Sequence, residues 1–111
     1  ERGGGRVVFV EPSPRLLWAA GAGSAPDLAI RTAGGTNAFA HLKASDWVDW
    51  ETLLRTDPDV IVIPSGSRAT LMMHAGIRAS IYEVDEASFV RPSPRLAGEA
   101  ERLAAFLRSR P

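Results

Sequence analysis

An unbroken apolar run, Val-Ile-Val-Ile at positions 60–63, constrains the fold of this 111-residue chain more than any other feature. Branched apolar residues without polar alternation predict a strand that is covered on both faces, as in the parallel sheets of α/β proteins. The Asp-Pro pair at 57–58 ends any preceding helix, because the residue before a proline disfavours helical backbone angles. We therefore expect a strand over residues 59–63 in a sheet with helices on both sides.

Strand and helix patterns alternate along the rest of the chain. The predicted strands are 6–10, 16–20, 59–63 and 80–84. The predicted helices are 25–33, 50–55, 68–74 and 94–109, with residues 36–47 expected to be irregular. Capping residues before three of these helices, and prolines at two of their starts, favour this assignment.

Strands that alternate with helices predict a single α/β domain, a three-layer α/β/α Rossmann-like lobe with a mainly parallel sheet. Ligands of such sheets bind beyond the carboxyl ends of the strands. The loops after Val10, Ile63 and Val84, together with the segment around Trp18, are therefore the candidate site.

The composition argues against several classes of function. Lys+Arg and Asp+Glu both number 13, so the formal net charge is zero and the basic footprint typical of nucleic-acid-binding proteins is missing. The chain has no cysteine, its two histidines have no ligand partner at metal-binding spacing, and it has no nucleophile-elbow pattern. We therefore predict a protein that has no resident metal or cofactor, does not bind nucleic acid and has no Ser-His-Asp catalytic site.

Three motifs follow one another along the chain: Ala-Gly-Gly-Thr-Asn at 33–37, Trp-Glu-Thr-Leu-Leu-Arg-Thr-Asp-Pro-Asp at 50–59 and Ser-Pro-Arg at 93–95. With the opening strand and the Trp18 segment, they resemble the C-terminal lobe of class III periplasmic binding proteins, and most closely the cobalamin-binding members. The resemblance implies the substrate-binding component of an ABC importer, in the periplasm or at the cell surface. Such a component is not an enzyme: it binds cobalamin, a ferric siderophore or haem between two lobes and docks on the permease.

The resemblance also bears on domain organisation. Class III proteins have two lobes joined by a long helix, whereas residues 1–111 have the length of one domain. We therefore expect a single domain, a C-terminal lobe with the N-terminal lobe and the linker helix absent. An isolated lobe exposes the face that closes on the ligand, so self-association is expected.

The resemblance implies four ligand-contacting residues. Trp18 takes the place of a cleft aromatic. The place of a second one falls on Ser45 or Asp46, with Trp47 adjacent, and Arg68 lies in the following wall of the cleft. A flat indole suits a large and mostly apolar ligand face. The competing interpretations are that Trp18 belongs to the core and that Trp47 packs its loop down.

Glu51 matches the carboxylate that the family presents to arginines of the membrane permease. A carboxylate at a helix start is favoured by the helix dipole, and an exposed one attracts an arginine-rich partner. The competing interpretation is a helix-dipole residue that has no partner.

A second hypothesis remains open for the whole chain: a free-standing Rossmann-like module that binds a nucleotide or another protein. Gly21-Ala22-Gly23 before a helix suggests a dinucleotide turn. Pro26, however, stands where the third glycine is expected, and no acidic residue follows a second strand at the required distance.

Overall fold

The computed structural model describes residues 5–74 and 76–110. Within these ranges the secondary structure consists of six strands and five helices. The strands are β1 (Arg6–Pro12), β2 (Leu17–Ala19), β3 (Thr36–Asn37), β4 (Asp46–Val48), β5 (Val60–Pro64) and β6 (Ser80–Val84). The helices are α1 (Ala25–Thr32), α2 (Trp50–Arg55), α3 (Arg68–Leu71), α4 (Glu86–Phe89) and α5 (Pro94–Ser109).

The strands form one sheet in the order β4-β2-β1-β5-β6, and β3 pairs with the first residues of β1. β1 is parallel to β3 and β5, and β5 is parallel to β6, whereas β2 runs antiparallel to both β1 and β4. β5 lies between β1 and β6, and all five of its residues are buried. The Val-Ile run is therefore an interior parallel strand, and the predicted mainly parallel sheet is confirmed.

Alternate residues of β1 point into two separate cores. Val7 and Phe9 join a core that also contains residues of α1, α4 and α5, and we call it the first core. Val8 and Val10 join the second core, which contains residues of α2 and α3. Because a strand directs successive side chains to opposite faces, both faces of the sheet are covered by helices. The resulting three layers confirm the predicted fold class.

The helix starts agree with the capping signals in the sequence. Oγ of Ser24 accepts a hydrogen bond from the N–H of Asp27 at 3.2 Å, and Oδ1 of Asp49 accepts one from the N–H of Thr52 at 2.8 Å. α5 spans the predicted residues 94–109 and buries one apolar stripe. In the described ranges, no helix combines the length and the hydrophobicity that crossing a membrane requires.

Several short elements differ from the prediction. β3 and β4 begin within residues 36–47, which the sequence predicts to be irregular. Strands this short carry no alternation pattern, and they form because β1 and β2 offer backbone edges for pairing. α4 is too short to show a helical period, so the sequence does not predict it. α3 ends at Leu71 rather than at His74.

The extension of β1 matters most for the candidate site. The sequence predicts that the strand ends at Val10, because two prolines follow within four residues. In the structure Glu11 and Pro12 remain in the strand and pair with Trp18 and Leu17 of β2. Pro12 is the last residue of the strand, where a missing N–H is tolerated.

Candidate functional site

The carboxyl ends of the parallel strands define the candidate site. β1, β5 and β6 end at Pro12, Pro64 and Val84 on one edge of the sheet, because they run in the same direction. β2 pairs with the last three residues of β1, and β4 pairs with β2, so this short ribbon widens the same edge. Ligands of α/β sheets bind at this edge.

Trp18 and Trp47 come together on the ribbon. They lie directly opposite each other on β2 and β4, with ring centroids 5.3 Å apart and an interplanar angle of 71°. Trp18 is half-buried and belongs to neither core, whereas Trp47 is 53% exposed. Edge-to-face contact is favourable for aromatic rings, and here it leaves apolar ring surface open to solvent. The two aromatics that the sequence singles out therefore form one surface, which we call the indole pair.

Glu11 continues the row of the indole pair onto β1. It lies directly opposite Trp18, so the side chains of Glu11, Trp18 and Trp47 stand on one face of three neighbouring strands. Phe9, two residues earlier on the same face, contacts Phe89 of α4, with ring centroids 5.2 Å apart. The row therefore stands on the face of the sheet that α4 covers.

Glu86, the first residue of α4, meets Glu11 at the end of this row. The two carboxyl groups lie close enough for Glu86 to act on the ionisation of Glu11. Partial burial raises the pKa of Glu11 to about 7, and the carboxyl group of Glu86 adds to the shift. The sequence gives no signal for α4 and assigns Glu11 to a strand break. The one usable signal was the spacing of two between Phe9 and Glu11, which puts both on one face of an extended strand.

Ser45 contacts its own chain rather than open space. Its Oγ accepts a hydrogen bond from the N–H of Gly21 at 3.3 Å, and the N–H of Ala22 donates to the carbonyl of Leu42 at 2.9 Å. A Cβ at Gly21 would come within 2.5 Å of the carbonyl oxygen of Ala44, so glycine lets the loop before β4 pack closely here. These contacts fix the start of β4 and thereby the position of the indole pair.

Arg68 lies at the start of α3, just after the carboxyl end of β5. Its Nε donates to Oε2 of Glu83 at 3.1 Å, and Oε1 of Glu83 accepts from the N–H of Gly66 at 3.3 Å. These two hydrogen bonds, that of Arg68 above all, lower the pKa of Glu83. Glu83 is the register partner of Ile63, whose side chain belongs to the second core. Arg68 is therefore held on the opposite face of the sheet from the indole pair.

Glu51 lies in the first turn of α2, directly after the Asp49 cap. Its side chain is 72% exposed, and its Oε2 accepts from Nη2 of Arg55 at 3.0 Å. An exposed ion pair at this helical spacing contributes only about 0.3–0.5 kcal/mol, so it binds the carboxylate weakly. Glu51 thus presents an accessible negative charge on the turn that follows β4.

The first turn of α1 does not suit a nucleotide phosphate. The N–H of Asp27 is bonded to Oγ of Ser24, and the N–H of Gly23 donates to Oδ2 of Asp27 at 3.1 Å. The donors that a dinucleotide turn offers to a pyrophosphate are thus used within the chain. The carboxylate of Asp27 would also repel a phosphate. These contacts count against the nucleotide-binding hypothesis.

The histidines make aromatic contacts. His74 stacks on Trp50 with ring centroids 3.4 Å apart, and His41 lies 6.0 Å from Phe39. Within residues 5–74 and 76–110, the side chains of histidine, aspartate and glutamate form no group of three or more that would hold a metal ion.

Comparison of the fold with solved structures finds class III periplasmic binding proteins. A periplasmic heme-binding protein from Pseudomonas aeruginosa matches with a TM-score of 0.80 and 24% identity, over 96% of this chain and 44% of that one. The periplasmic vitamin B12-binding protein BtuF of Vibrio cholerae matches with a TM-score of 0.79 and 20% identity, over 93% and 44%. An ABC-type Fe3+-hydroxamate transport system from Saccharomonospora viridis matches with a TM-score of 0.74 and 20% identity, over 95% and 42%.

These comparisons confirm the class III resemblance at the level of the fold. The chain spans less than half the length of each of these proteins. All three neighbours are binding or transport proteins. No protein-family profile matches the sequence, and no curated protein matches it either.

Proposed function

We propose that this chain is the C-terminal lobe of a substrate-binding protein that delivers a large metal chelate to an ABC importer. Cobalamin is the first candidate ligand, and a ferric siderophore or haem is the second. The lobe performs no chemistry: it closes with a second lobe over the ligand, and the complex docks on the permease. One observation carries the proposal, the exposed indole pair at the carboxyl edge of a sheet with the class III fold.

The indole pair is the main ligand surface in this proposal. Two indoles in edge-to-face contact offer a broad apolar wall, which suits a flat conjugated ring better than a small polar solute. Ser45 and Arg68 are secondary proposed contacts: Ser45 would have to exchange its hydrogen bond to Gly21, and Arg68 would reach the ligand around the carboxyl end of the sheet from its other face. The guanidinium of Arg68 has exposed donors beside its bond to Glu83 and suits a ligand carboxylate or amide.

Glu51 is the proposed docking carboxylate. Its bond to Arg55 is exposed, so exchange of Arg55 for an arginine of the permease costs little free energy. We expect Glu51→Arg to keep the ligand affinity of the wild type and to abolish ligand uptake by cells. Glu101→Arg, an equal charge change at an exposed position of α5, is the matched control and should leave uptake intact. Normal uptake with Glu51→Arg would remove the docking role.

The identity of the ligand is tested by binding experiments with the full-length natural protein that contains this chain. Titration with cyanocobalamin, haemin and a ferric hydroxamate, followed by tryptophan fluorescence and calorimetry, should give saturable binding of one of them at micromolar concentration. Trp47→Ala should weaken that binding by about tenfold or more, which is the loss expected for one buried aromatic anchor. Trp50→Ala is the control, because Trp50 stacks on His74 and packs against the second core.

Two outcomes would contradict the proposal. One is the lack of a saturable response to any of the three chelates. The other is equal loss of binding with Trp47→Ala and Trp50→Ala, since this would point to general destabilisation rather than to a ligand surface. A nucleotide titration of the same protein tests the second hypothesis, a free-standing nucleotide-binding or interaction module.

Location and self-association follow from the same proposal. We propose that the protein works in the periplasm or at the cell surface, where importers of this kind collect their ligands. The 111-residue chain on its own exposes the indole pair, so we expect it to self-associate. Light scattering that finds only monomer across a wide concentration range would contradict this expectation.

A further inference from the structure

Glu11 lies next to the indole pair, so an ionisable carboxyl group borders this aromatic surface. Strand register sets Glu11 opposite Trp18, and Trp18 stands opposite Trp47. Glu11 is partly buried, and its carboxyl group interacts with that of Glu86 on α4. An aromatic surface and a carboxyl pair therefore share one row on one face of the sheet.

Two neighbouring carboxyl groups attract each other only when one of them holds a proton. Both ionise only at a high cost, because like charges repel and partial burial disfavours the charged form. For these reasons the pKa of Glu11 is raised to about 7, with burial as the larger cause. Below that pH the protonated carboxyl has an O–H that donates a hydrogen bond, which an ionised carboxylate lacks.

Glu86 is the charged group that adds to the effect of burial on Glu11. β2 and β5, the strands on either side of the end of β1, contain no ionisable residue. On the α4 side, Asp85 is turned to Ser88, whose Oγ donates to Oδ2 of Asp85 at 2.7 Å. Glu86 is the ionisable residue of α4 itself.

We propose that Glu11 is a specificity-determining residue of the ligand site, and that its neutral carboxyl donates a hydrogen bond to a carboxylate or amide oxygen on the rim of a flat ring that rests on Trp18 and Trp47. This inference rests on the proposed function and narrows its ligand class to chelates with oxygen acceptors on the rim. A ring with only apolar substituents cannot accept this hydrogen bond, so Glu11 does not increase its affinity. A rim carboxylate is repelled once Glu11 ionises, so its binding depends strongly on pH.

The test measures how binding of two probes depends on pH. Haemin presents rim carboxylates and cyanocobalamin presents rim amides. Wild-type affinity for haemin should fall about tenfold for each pH unit above about 7, since an ionised Glu11 repels the rim carboxylates. The affinity for cyanocobalamin should fall less, because its rim amides also carry N–H donors that can bond the ionised carboxylate. Glu11→Gln keeps an N–H donor at every pH, so this decline should disappear. The Glu11→Ala variant should bind either probe weakly both below and above pH 7, because alanine donates no hydrogen bond. Glu101→Gln, on α5, is the control and should keep the wild-type pH profile.

A second measurement follows the proton directly. Carbon-13 NMR of the Glu11 carboxyl should give a midpoint near pH 7, and Glu86→Gln should move that midpoint down, because the amide donates to an ionised Glu11. Binding with an unchanged pH profile in Glu11→Gln would overturn the role of Glu11 and leave the proposed function standing. Failure of every chelate to bind the wild type at any pH would overturn the proposed function and this assignment together.

Discussion

Asn37 and Asp27 form a buried hydrogen bond, in which Nδ2 of Asn37 donates to Oδ1 of Asp27 at 2.9 Å and each residue is only 3% exposed. The same amide donates to the carbonyl of Ala20 at 3.3 Å, and Oδ1 of Asn37 accepts from the N–H of Phe39 at 3.0 Å. Asn37 thus joins the end of β2, the first turn of α1 and its own loop. These bonds give the asparagine of the Gly-Gly-Thr-Asn motif a structural role beneath the ribbon that carries the indole pair.

Replacing Asn37 by alanine should lower the free energy of unfolding by about 3 kcal/mol, because the change takes partners from a buried carboxylate and a buried N–H. Urea unfolding followed by circular dichroism measures the loss. Thr36→Ala, at the exposed neighbouring position, is the matched control and should change the stability by less than about 0.5 kcal/mol. Equal small effects of both changes would mean that the network is not needed for stability.

Asp27 makes folding sensitive to acid. Burial raises the pKa of this carboxyl, but hydrogen bonds from Asn37, Gly23 and Arg31 outweigh burial and hold the pKa below its usual value. A lowered folded-state pKa stabilises the fold above the unfolded-state pKa, and this contribution is lost as pH falls through the folded-state value. Below about pH 4 the wild-type Tm should therefore decline, and Asp27→Asn should show less of this decline. Thermal melts at several pH values measure it, and Glu101→Gln should keep the wild-type slope.

The fold was predictable wherever a local sequence pattern determines the local structure by itself. The Val-Ile run required a strand covered on both faces, and Ser24 and Asp49 capped the helices that follow them. These signals are local, so they need no knowledge of which strands pair. The class III motifs then indicated which known fold these elements build.

The candidate site was less predictable, because tertiary pairing creates it. Trp18 and Trp47 meet only because the three-residue β4 pairs with β2, and no local pattern predicts so short a strand. Glu11 and Glu86 meet only because β1 continues to Pro12 and a four-residue helix begins at Glu86. The residues of the site are visible in the sequence, but which of them become neighbours depends on strand pairing between distant segments.

The two glycines after α1 should respond to alanine for different reasons. Gly34 has φ of 95° with open space around its Cβ position, so Gly34→Ala should cost about 1 kcal/mol of backbone strain. A Cβ at Gly35 would lie 2.8 Å from Cγ2 of Val7, a buried residue of the first core. Gly35→Ala should therefore cost about 1–3 kcal/mol through overpacking. Thermal and urea unfolding of both variants would measure these costs.

Gly98 provides the opposite case and serves as the control for the two loop glycines. It lies within α5, and the nearest atoms to a Cβ there are at the flexible end of Arg102, 3.6 Å away. Gly98→Ala should therefore stabilise the protein by about 0.5–1 kcal/mol, because alanine loses less backbone entropy in a helix. Destabilisation by all three changes would mean that sensitivity to alanine is general and not caused by the geometry after α1.

The indole pair should stabilise the ribbon jointly, and a double-mutant cycle measures this. Trp18→Ala, Trp47→Ala and the double variant should give a coupling energy of about 0.5–1.5 kcal/mol, as expected for an edge-to-face aromatic contact. A matched cycle of Trp18→Ala with Trp50→Ala should be additive within about 0.5 kcal/mol, because Trp50 packs against the second core. Coupling confined to the first cycle means that the aromatic wall is formed before any ligand arrives. Additivity in both cycles would mean that the indoles do not touch in solution, and a ligand would then have to organise its own binding surface.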